Sequence, residues 1–501
     1  MISAYAVSAL VFGLVLSYLG LIHRFWLRDV FREAQKSAVR TRIVILGGGF
    51  GGLYSALHFE KTNAADPTVE VTLVSRENFV LFTPMLHEVA AGDLDSSDIV
   101  CPLRQMLKHV RFLQADVDRI DLEGRQVSLA HGVHRERRVL TYDHLVIALG
   151  SESNFFKLRG VEERALTMKS LGDAIILRNH ALAMLEAASV TDDAFAKRAM
   201  LTFVVAGAGF AGVETVGGLN DFVREAISYY PALAEAQLRV VLVHPNSVIL
   251  PELSETLGRY AQDKLASRHV EMRTDTRVIA FSERGLELSN GETLPTQTLV
   301  WTAGVTPPAV LQCLPAKKEK GRIVVNEMLE VPGFPGVWAV GDCAWIPNAK
   351  SGKAHPPTAQ HALREAVRCA KNVVAAIRGS QGAPFRFRTV GQLATIGHRA
   401  GVADIFGLRL SGFPAWCLWR AIYLAKLPTF ERKLRVALRW TLDFVFPKDL
   451  TQHVTLHGID RVSRLLAYIR QPAVIPPAVA SESPSALRHS PHGKQTAIHE
   501  L

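Results

Sequence analysis

The sequence predicts an α/β protein with two separate βαβ cores, a membrane-spanning helix ahead of them and amphipathic helices behind them. Three observations carry that prediction: the glycine runs GGGFGG at Gly47–Gly52 and GAGFAG at Gly207–Gly212, and an uncharged stretch from Ile2 to Ile22. Each glycine run follows a short β-branched segment, Arg42-Ile-Val-Ile-Leu46 or Leu201-Thr-Phe-Val-Val-Ala206, of the kind buried in parallel sheets. In such a turn the first glycine allows the bend, the second lets the backbone approach a pyrophosphate, and the third lets the helix pack closely. Gly47, Gly49 and Gly52 take those places in the first run, and Gly207, Gly209 and Gly212 in the second. The helices opening at Phe50 and Phe210 would then point their N-termini at the anion. A single run is compatible with an ordinary glycine turn. Two in matching context predict two Rossmann-like dinucleotide-binding domains.

The chain has 501 residues, enough for two or three domains. The run SAYAVSALVFGLVLSYLGLI is long enough to cross a bilayer. It has neither the basic residues before it nor the small-residue cleavage site after it that a signal peptide carries. Residues 1–28 therefore read as a transmembrane anchor. Arg24, Arg28, Arg32, Lys36 and Arg40 follow it, which places the bulk of the protein on the cytoplasmic face of the cell inner membrane. The net charge of +10 is concentrated beside hydrophobic segments and accompanies no recognition module, so nucleic acid is not an expected partner. The five cysteines, Cys101, Cys313, Cys343, Cys369 and Cys417, form no CxxC or metal spacing and read as free thiols.

Residues 42–160 read as the first part of one dinucleotide domain, closing on Leu145-Val-Ile-Ala-Leu149 and Gly150. Residues 165–300 read as the second domain, inserted and ending in Thr298–Ala303 before Gly304. Residues 301–405 return to the first domain through Gly336-Val-Trp-Ala-Val340 and Gly341-Asp342-Cys343-Ala344. In the C-terminal region, 406–465, Trp416, Trp419 and Tyr423 beside Arg420 and Lys426 suit a membrane–water boundary. After Pro428, a helical wheel puts Phe430, Leu434, Ala437, Leu438 and Val445 on one side and Arg432, Arg435 and Arg439 on the other. This predicts helices lying on a lipid bilayer, although such a pattern is also that of a surface helix packed on its own domain. Residues 471–501 are rich in Pro, Ser and Ala and read as a disordered tail.

The order of these motifs resembles the type II, non-proton-pumping NADH:quinone oxidoreductases among the two-dinucleotide-domain flavoproteins, over about residues 42–460. The resemblance implies FAD on GGGFGG, with Gly150 and Gly304 where the chain passes the flavin, and Asp342 on the ribityl chain near Gly341. It implies NADH or NADPH on GAGFAGVE, with Glu214 near the nicotinamide, where it would orient the nucleotide or relay a proton. Thr358-Ala-Gln-His-Ala362 resembles the quinone-side motif: only Gln360 matches it, with Ala359 and Gln360 expected near the cofactor, and Arg364 stands where a second glutamine is expected. The acidic residue that normally ends each ribose-binding strand is also missing. Ser75, beside Arg76 and Glu77, takes its place in the flavin half and His244 in the nicotinamide half. Without the charge that repels a 2′-phosphate, weak discrimination between NADH and NADPH is expected, and a residue that titrates near neutrality opens it to pH dependence.

The reaction implied is hydride transfer to FAD, then two electrons to a membrane quinone, ubiquinone or menaquinone. Quinone reduction needs protons, and His398, ahead of the membrane segments, is the expected donor. A homodimer is left open. So are two alternatives: a sulfide:quinone oxidoreductase-like enzyme, in which Cys343 would need a redox partner, and a membrane-tethered flavoprotein redox sensor.

Overall fold

The computed structural model describes residues 40–452 apart from 63–65, 67 and 349–351. The expected anchor and the C-terminal tail both lie outside the described residues. Among the described residues no helix is long and apolar enough to cross a membrane.

The first core opens with β1 (Thr41–Leu46), passes through the first glycine run into α1 (Phe50–Thr62), and returns parallel as β2 (Val69–Ser75). Ile43, Ile45 and Leu46 are wholly buried, as a parallel strand covered on both faces requires. The short helix α2 (Leu86–Ala90) follows. β3 (Arg111–Asp121) pairs parallel to β2 and folds back into antiparallel β4 (Gln126–His131) and β5 (Glu136–Thr141), and then β6 (His144–Ile147) inserts beside β1.

The chain then leaves this sheet. β7 (Leu166–Thr167) leads into α3 (Leu171–Val190), which opens on a capping box: Ser170 Oγ accepts from the Asp173 amide, and the Asp173 carboxylate accepts from the Ser170 amide. The second core consists of β8 (Thr202–Ala206), α4 (Phe210–Ile227), β9 (Arg239–Val243), β10 (Val270–Arg273) and β11 (Thr298–Trp301). Its five strands are all parallel, in the order β7-β11-β8-β9-β10. β12 (Val337–Ala339) then rejoins the first sheet beside β6 and completes the order β12-β6-β1-β2-β3-β4-β5. The second core is thus an excursion out of the first. Both sheets aim the C-terminal ends of their central strands at the junction between them, where open α/β sheets bind ligands.

Helix α5 (Ala359–Ile377) packs along α1, and three antiparallel strands follow it: β13 (Gly391–Thr395), β14 (Gly401–Ile405) and β15 (Leu408–Gly412). The described chain closes with α6 (Phe413–Lys426) and α7 (Phe430–Leu442). Here the structure corrects the sequence reading. Trp416 and Trp419, expected at a membrane boundary, are 5% and 0% exposed and belong to the core. On α7 the buried face is that of Val436 and Trp440, and Arg439, itself exposed, pairs at the edge of that face with the buried carboxylate of Asp98 at 2.9 Å. Trp440 Nε1 donates to buried Glu88 at 2.9 Å. Unpaired, these two acids would be costly to bury, so they select the face that packs. Phe430, Leu434 and Leu438 consequently stand outward, 79%, 60% and 59% exposed, and Phe444, Val445 and Phe446 beyond the helix are exposed as well.

This assignment of faces has a stability signature. Trp440→Ala is expected to cost about 3–5 kcal/mol in denaturant unfolding of the full chain. Leu438→Ala on the outward face should change it by less than about 0.5 kcal/mol. Equal losses would reverse the assignment.

Candidate active site

At each glycine run the backbone is forced into contacts that a side chain would break. Gly47 has φ +105°, and a Cβ there would lie 2.2 Å from the carbonyl oxygen of Ala148. A Cβ on Gly52 would fall 1.8 Å from the Gly47 carbonyl. Gly207, at φ +101°, and Gly212 repeat this arrangement against Ala303 and the Gly207 carbonyl. In front of Gly49, by contrast, nothing lies within 4 Å, and Gly209 meets only a carboxylate oxygen of Glu252. The first and third glycines serve packing, and the second leaves the helix N-terminus open to an anion.

Between the two cores runs a cleft of about 830 Å³. Gly49, Phe50, Gly150, Gly341, Asp342 and Ala359 form one wall, and Phe210, Glu214, Trp301 and Gly304 face them from the second core and its return segment. Asp342 is held in place: its carboxylate accepts from Ser151 Oγ at 2.8 Å, and Ser151 Oγ accepts from Lys169 Nζ at 3.1 Å. Behind it the Gly341 amide donates to buried Glu365 at 2.8 Å, and burial pushes that carboxyl up to about 8.

Glu214, on the first turns of α4, lies where the two cores meet. Its Oε1 accepts from Trp419 Nε1 at 3.2 Å, with the Thr395 amide at 3.4 Å, and its Oε2 faces His87 Nδ1 at 3.7 Å. Burial pushes its carboxyl up to about 8, and nearby Glu88 adds to the rise against the two hydrogen bonds. A neutral carboxylic acid therefore faces the cleft at pH 7. His87 was not among the residues singled out by the sequence. It is 7% exposed, lines the same cleft, and is pushed down to about 4 by burial. The signal available was a His-Glu pair, His87-Glu88, inside the otherwise apolar run from Phe79 to Ala91.

At the far end, Gln360 lines the cleft, but both ends of its amide are engaged: Nε2 donates to the Gly391 carbonyl at 3.1 Å, and Oε1 accepts from the Val390 amide at 3.4 Å. It thereby ties α5 to β13. Arg364 also lines the cleft, with its guanidinium 4.2 Å from the centre of the Phe387 ring, in company with Tyr423 and Lys426 of α6.

His398 is not brought to this cleft. The β13–β14 hairpin turns at Gly397, φ +88°, and carries His398 over α4, where its amide donates to Asp221 at 2.6 Å. It borders a separate polar cavity of about 340 Å³ with Asp221, Arg268, Asp443 and Lys448. The proton-donor role expected of His398 is withdrawn on that geometry. Ser75 and Arg76 lie at the end of β2 and do not line the cleft either. Ser75 is buried behind Gly48, and the Arg76 guanidinium is paired with Asp116 at 2.7 Å.

His244 ends β9, 6% exposed, and its Nδ1 accepts from the Ala208 amide at 3.2 Å. That bond requires a lone pair on Nδ1, so the ring is neutral with its hydrogen on Nε2. Burial lowers its pKa against the opposing pull of Asp275. An imidazolium there would set N–H against N–H, which removes the physical basis for a pH-switched nucleotide choice. All five cysteines are free thiols. Cys343 is fully buried, its thiol pushed up to about 12 by burial, and it does not line the cleft.

Comparison with known proteins bears on this architecture. Residues 41–366 match the pyridine nucleotide-disulphide oxidoreductase family, and residues 390–449 match the NDH2 C-terminal domain. The chain is 32% identical over 434 residues to a probable NADH dehydrogenase of Dictyostelium discoideum, covering 85% of this chain and 94% of the relative. It is 31% identical over 422 residues to the type II NADH:quinone oxidoreductase Ndh of Mycobacterium tuberculosis, covering 81% and 88%. The NDH2 of Plasmodium falciparum, solved in complex with NADH, superimposes with a TM-score of 0.77 at 21% identity, over 82% of this chain and 100% of that one. This last match is a likeness of fold.

For His244 the expected outcome is a ratio of NADH to NADPH kcat/KM that moves by less than about twofold between about pH 6 and pH 8. A larger swing, abolished in His244→Asn, would restore the titrating role.

Proposed function

This chain belongs to the type II NADH:quinone oxidoreductase family, and on that premise we propose that it passes two electrons from NADH through FAD to a membrane quinone without pumping protons. The observation that carries the reading is the continuity of one cleft, from the two glycine turns past Glu214 to Gln360, Arg364 and Tyr423.

The residues present fit FAD: an open helix N-terminus at Gly49 for the pyrophosphate, the fixed carboxylate of Asp342 for a ribityl hydroxyl, and a cleft of about 830 Å³ for the ring system. A flavin there supplies hydride acceptance and two-electron delivery. The chain's own residues bind, orient and hold a proton. The turn at Gly209 receives the nucleotide pyrophosphate at the N-terminus of α4. His244 offers a ribose hydroxyl an uncharged neighbour. It carries no negative charge to reject a 2′-phosphate, so NADPH is admitted as a weaker donor. Glu214, neutral at pH 7, is the group that presents a proton inside the cleft. Arg364, Tyr423 and Lys426 form the end that would receive the quinone headgroup, ubiquinone or menaquinone.

The outward apolar residues Phe430, Leu434 and Leu438 on α7, with Phe413 and Phe446 nearby in sequence, support docking on a lipid bilayer. The uncharged Ile2–Ile22 run and the basic residues after it support an anchor in the inner membrane with the cores on the cytoplasmic face. Cys343, buried and without a cysteine partner, disfavours sulfide chemistry.

Anaerobic stopped-flow of the holoenzyme tests the proposal. NADH should bleach the flavin, a soluble quinone should restore it rapidly, and sulfide should do neither. Bleaching by sulfide, or slow recovery with quinone, would replace this reading with the sulfide enzyme or the sensor. Re-oxidation by quinone should fall as pH rises through about 8, because the protonated form of Glu214 is the donor and its raised pKa keeps it protonated below that point. In Glu214→Gln that pH dependence should vanish and the rate should drop about 10²- to 10⁴-fold. A pH profile identical to wild type would remove Glu214 from the reaction.

A further inference from the structure

We propose that His87 and Glu214 act as a pair sharing one proton, in which His87 fixes where the acid proton of Glu214 sits. The inference rests on the quinone-reducing function proposed above and assigns a positioning role to a residue outside every motif in the sequence.

A count of donors and acceptors carries the argument. Both groups that approach Glu214 Oε1, the Trp419 indole N–H and the Thr395 amide, are donors. A protonated oxygen would be a poor acceptor for either, so Oε1 is the carbonyl oxygen of the neutral acid and its hydrogen is on Oε2. Oε2 faces His87 Nδ1 at 3.7 Å, too long for a hydrogen bond and short enough to close with a small shift of either side chain. To receive that hydrogen, Nδ1 must keep its lone pair. The ring hydrogen is then on Nε2, where Thr395 Oγ1 at 3.0 Å accepts it. Trp419 packs edge-on against the imidazole at 5.5 Å between centroids and holds the ring in this orientation. Each atom of the pair thus has one consistent assignment.

The charged and titratable surroundings favour one proton over none or two. Burial first, and then Glu88 on the neighbouring position of α2, disfavour a negative charge at Glu214, and Tyr423 of α6 is itself held neutral by burial. Around His87, Asp93 favours an imidazolium, while Lys448 and burial oppose it. Reduction of a quinone to a quinol takes two electrons and two protons. The hydride of NADH provides both electrons and one proton equivalent. The second proton comes from the Oε2–H of Glu214, and the pair is reloaded from solvent with one proton per turnover.

The test uses the holoenzyme and two near-isosteric variants. His87→Asn keeps a polar group where Nδ1 faces Glu214 and loses the bond to Thr395. His87→Gln reaches Thr395 and leaves Glu214 unfaced. Infrared difference spectra between about pH 6 and pH 10 should contain a protonated carboxyl band that is absent in Glu214→Gln. That band should move to higher frequency in His87→Gln, as the acid loses its acceptor, and stay near its wild-type position in His87→Asn. Quinone re-oxidation should slow by at least about tenfold in His87→Gln, with its pH midpoint displaced, and recover most of the rate in His87→Asn. The inference is overturned if the band, the midpoint and the re-oxidation rate of His87→Gln match wild type, or if the two variants are equally impaired. If quinone fails to re-oxidise the wild-type flavin at all, the proposed function itself falls, which separates the two failures.

Discussion

The carboxyl group of Glu214 is where the architecture converges. It leaves the first turns of the second core's fingerprint helix and meets β13 through Thr395, α6 through Trp419, and α2 of the first core through His87. A buried acid is tolerated only when its oxygens are partnered, so all of these segments must be in place together. Its hydrogen bonds tie the second core to the C-terminal strands and helices, and its other oxygen faces His87 of the first core. That group is also the titratable side chain that reaches the cleft from the nucleotide-binding helix.

Helix α2 gives this junction a second face. It spans only Leu86–Ala90, yet His87 and Glu88 are both buried and point to different partners: His87 to the cleft, and Glu88 to the Trp440 indole of α7. Burial pushes the Glu88 carboxyl up to about 8, and Arg420 of α6, its guanidinium 4.1 Å and 4.5 Å from the centres of the Trp416 and Trp440 rings, opposes that rise. The outward apolar face of α7 and the proton-bearing end of the cleft are therefore set by adjacent residues of one turn. Under the proposed function, a lipid-docking surface and a quinone-admitting cavity need a fixed relation to each other, and α2 would supply it.

The glycine turns work differently. They are local devices in which missing side chains let backbone meet backbone, as at Gly52 against the Gly47 carbonyl, and they need no distant partner to form. This explains why the glycine-turn ends of both sheets can be read from a few consecutive residues, while the partners that meet in the middle of the cleft cannot.

What the sequence by itself determined were the features written within a short stretch of chain: the strands before each glycine run, the turns, the helices they open, and the return strand ahead of Asp342. Glu214 was legible through the family resemblance of GAGFAGVE, two residues past the end of the second run. The tertiary structure decided the rest. A wheel shows that Val436, Trp440 and Arg439 oppose Leu434 and Leu438, but Glu88, 352 residues from Trp440, determines which side is covered. His398 and His87 look equally plausible as letters. The hairpin turn at Gly397 carries one away from the cleft, and the packing of α2 on α4 brings the other in. His244 likewise looks like a pH switch in the sequence, and only the amide of Ala208 against its Nδ1 makes it a neutral ring. Backbone conformation is encoded locally because it depends on the residue's own sterics. Burial, pairing and proton location depend on what arrives from elsewhere in the chain, which only the fold supplies.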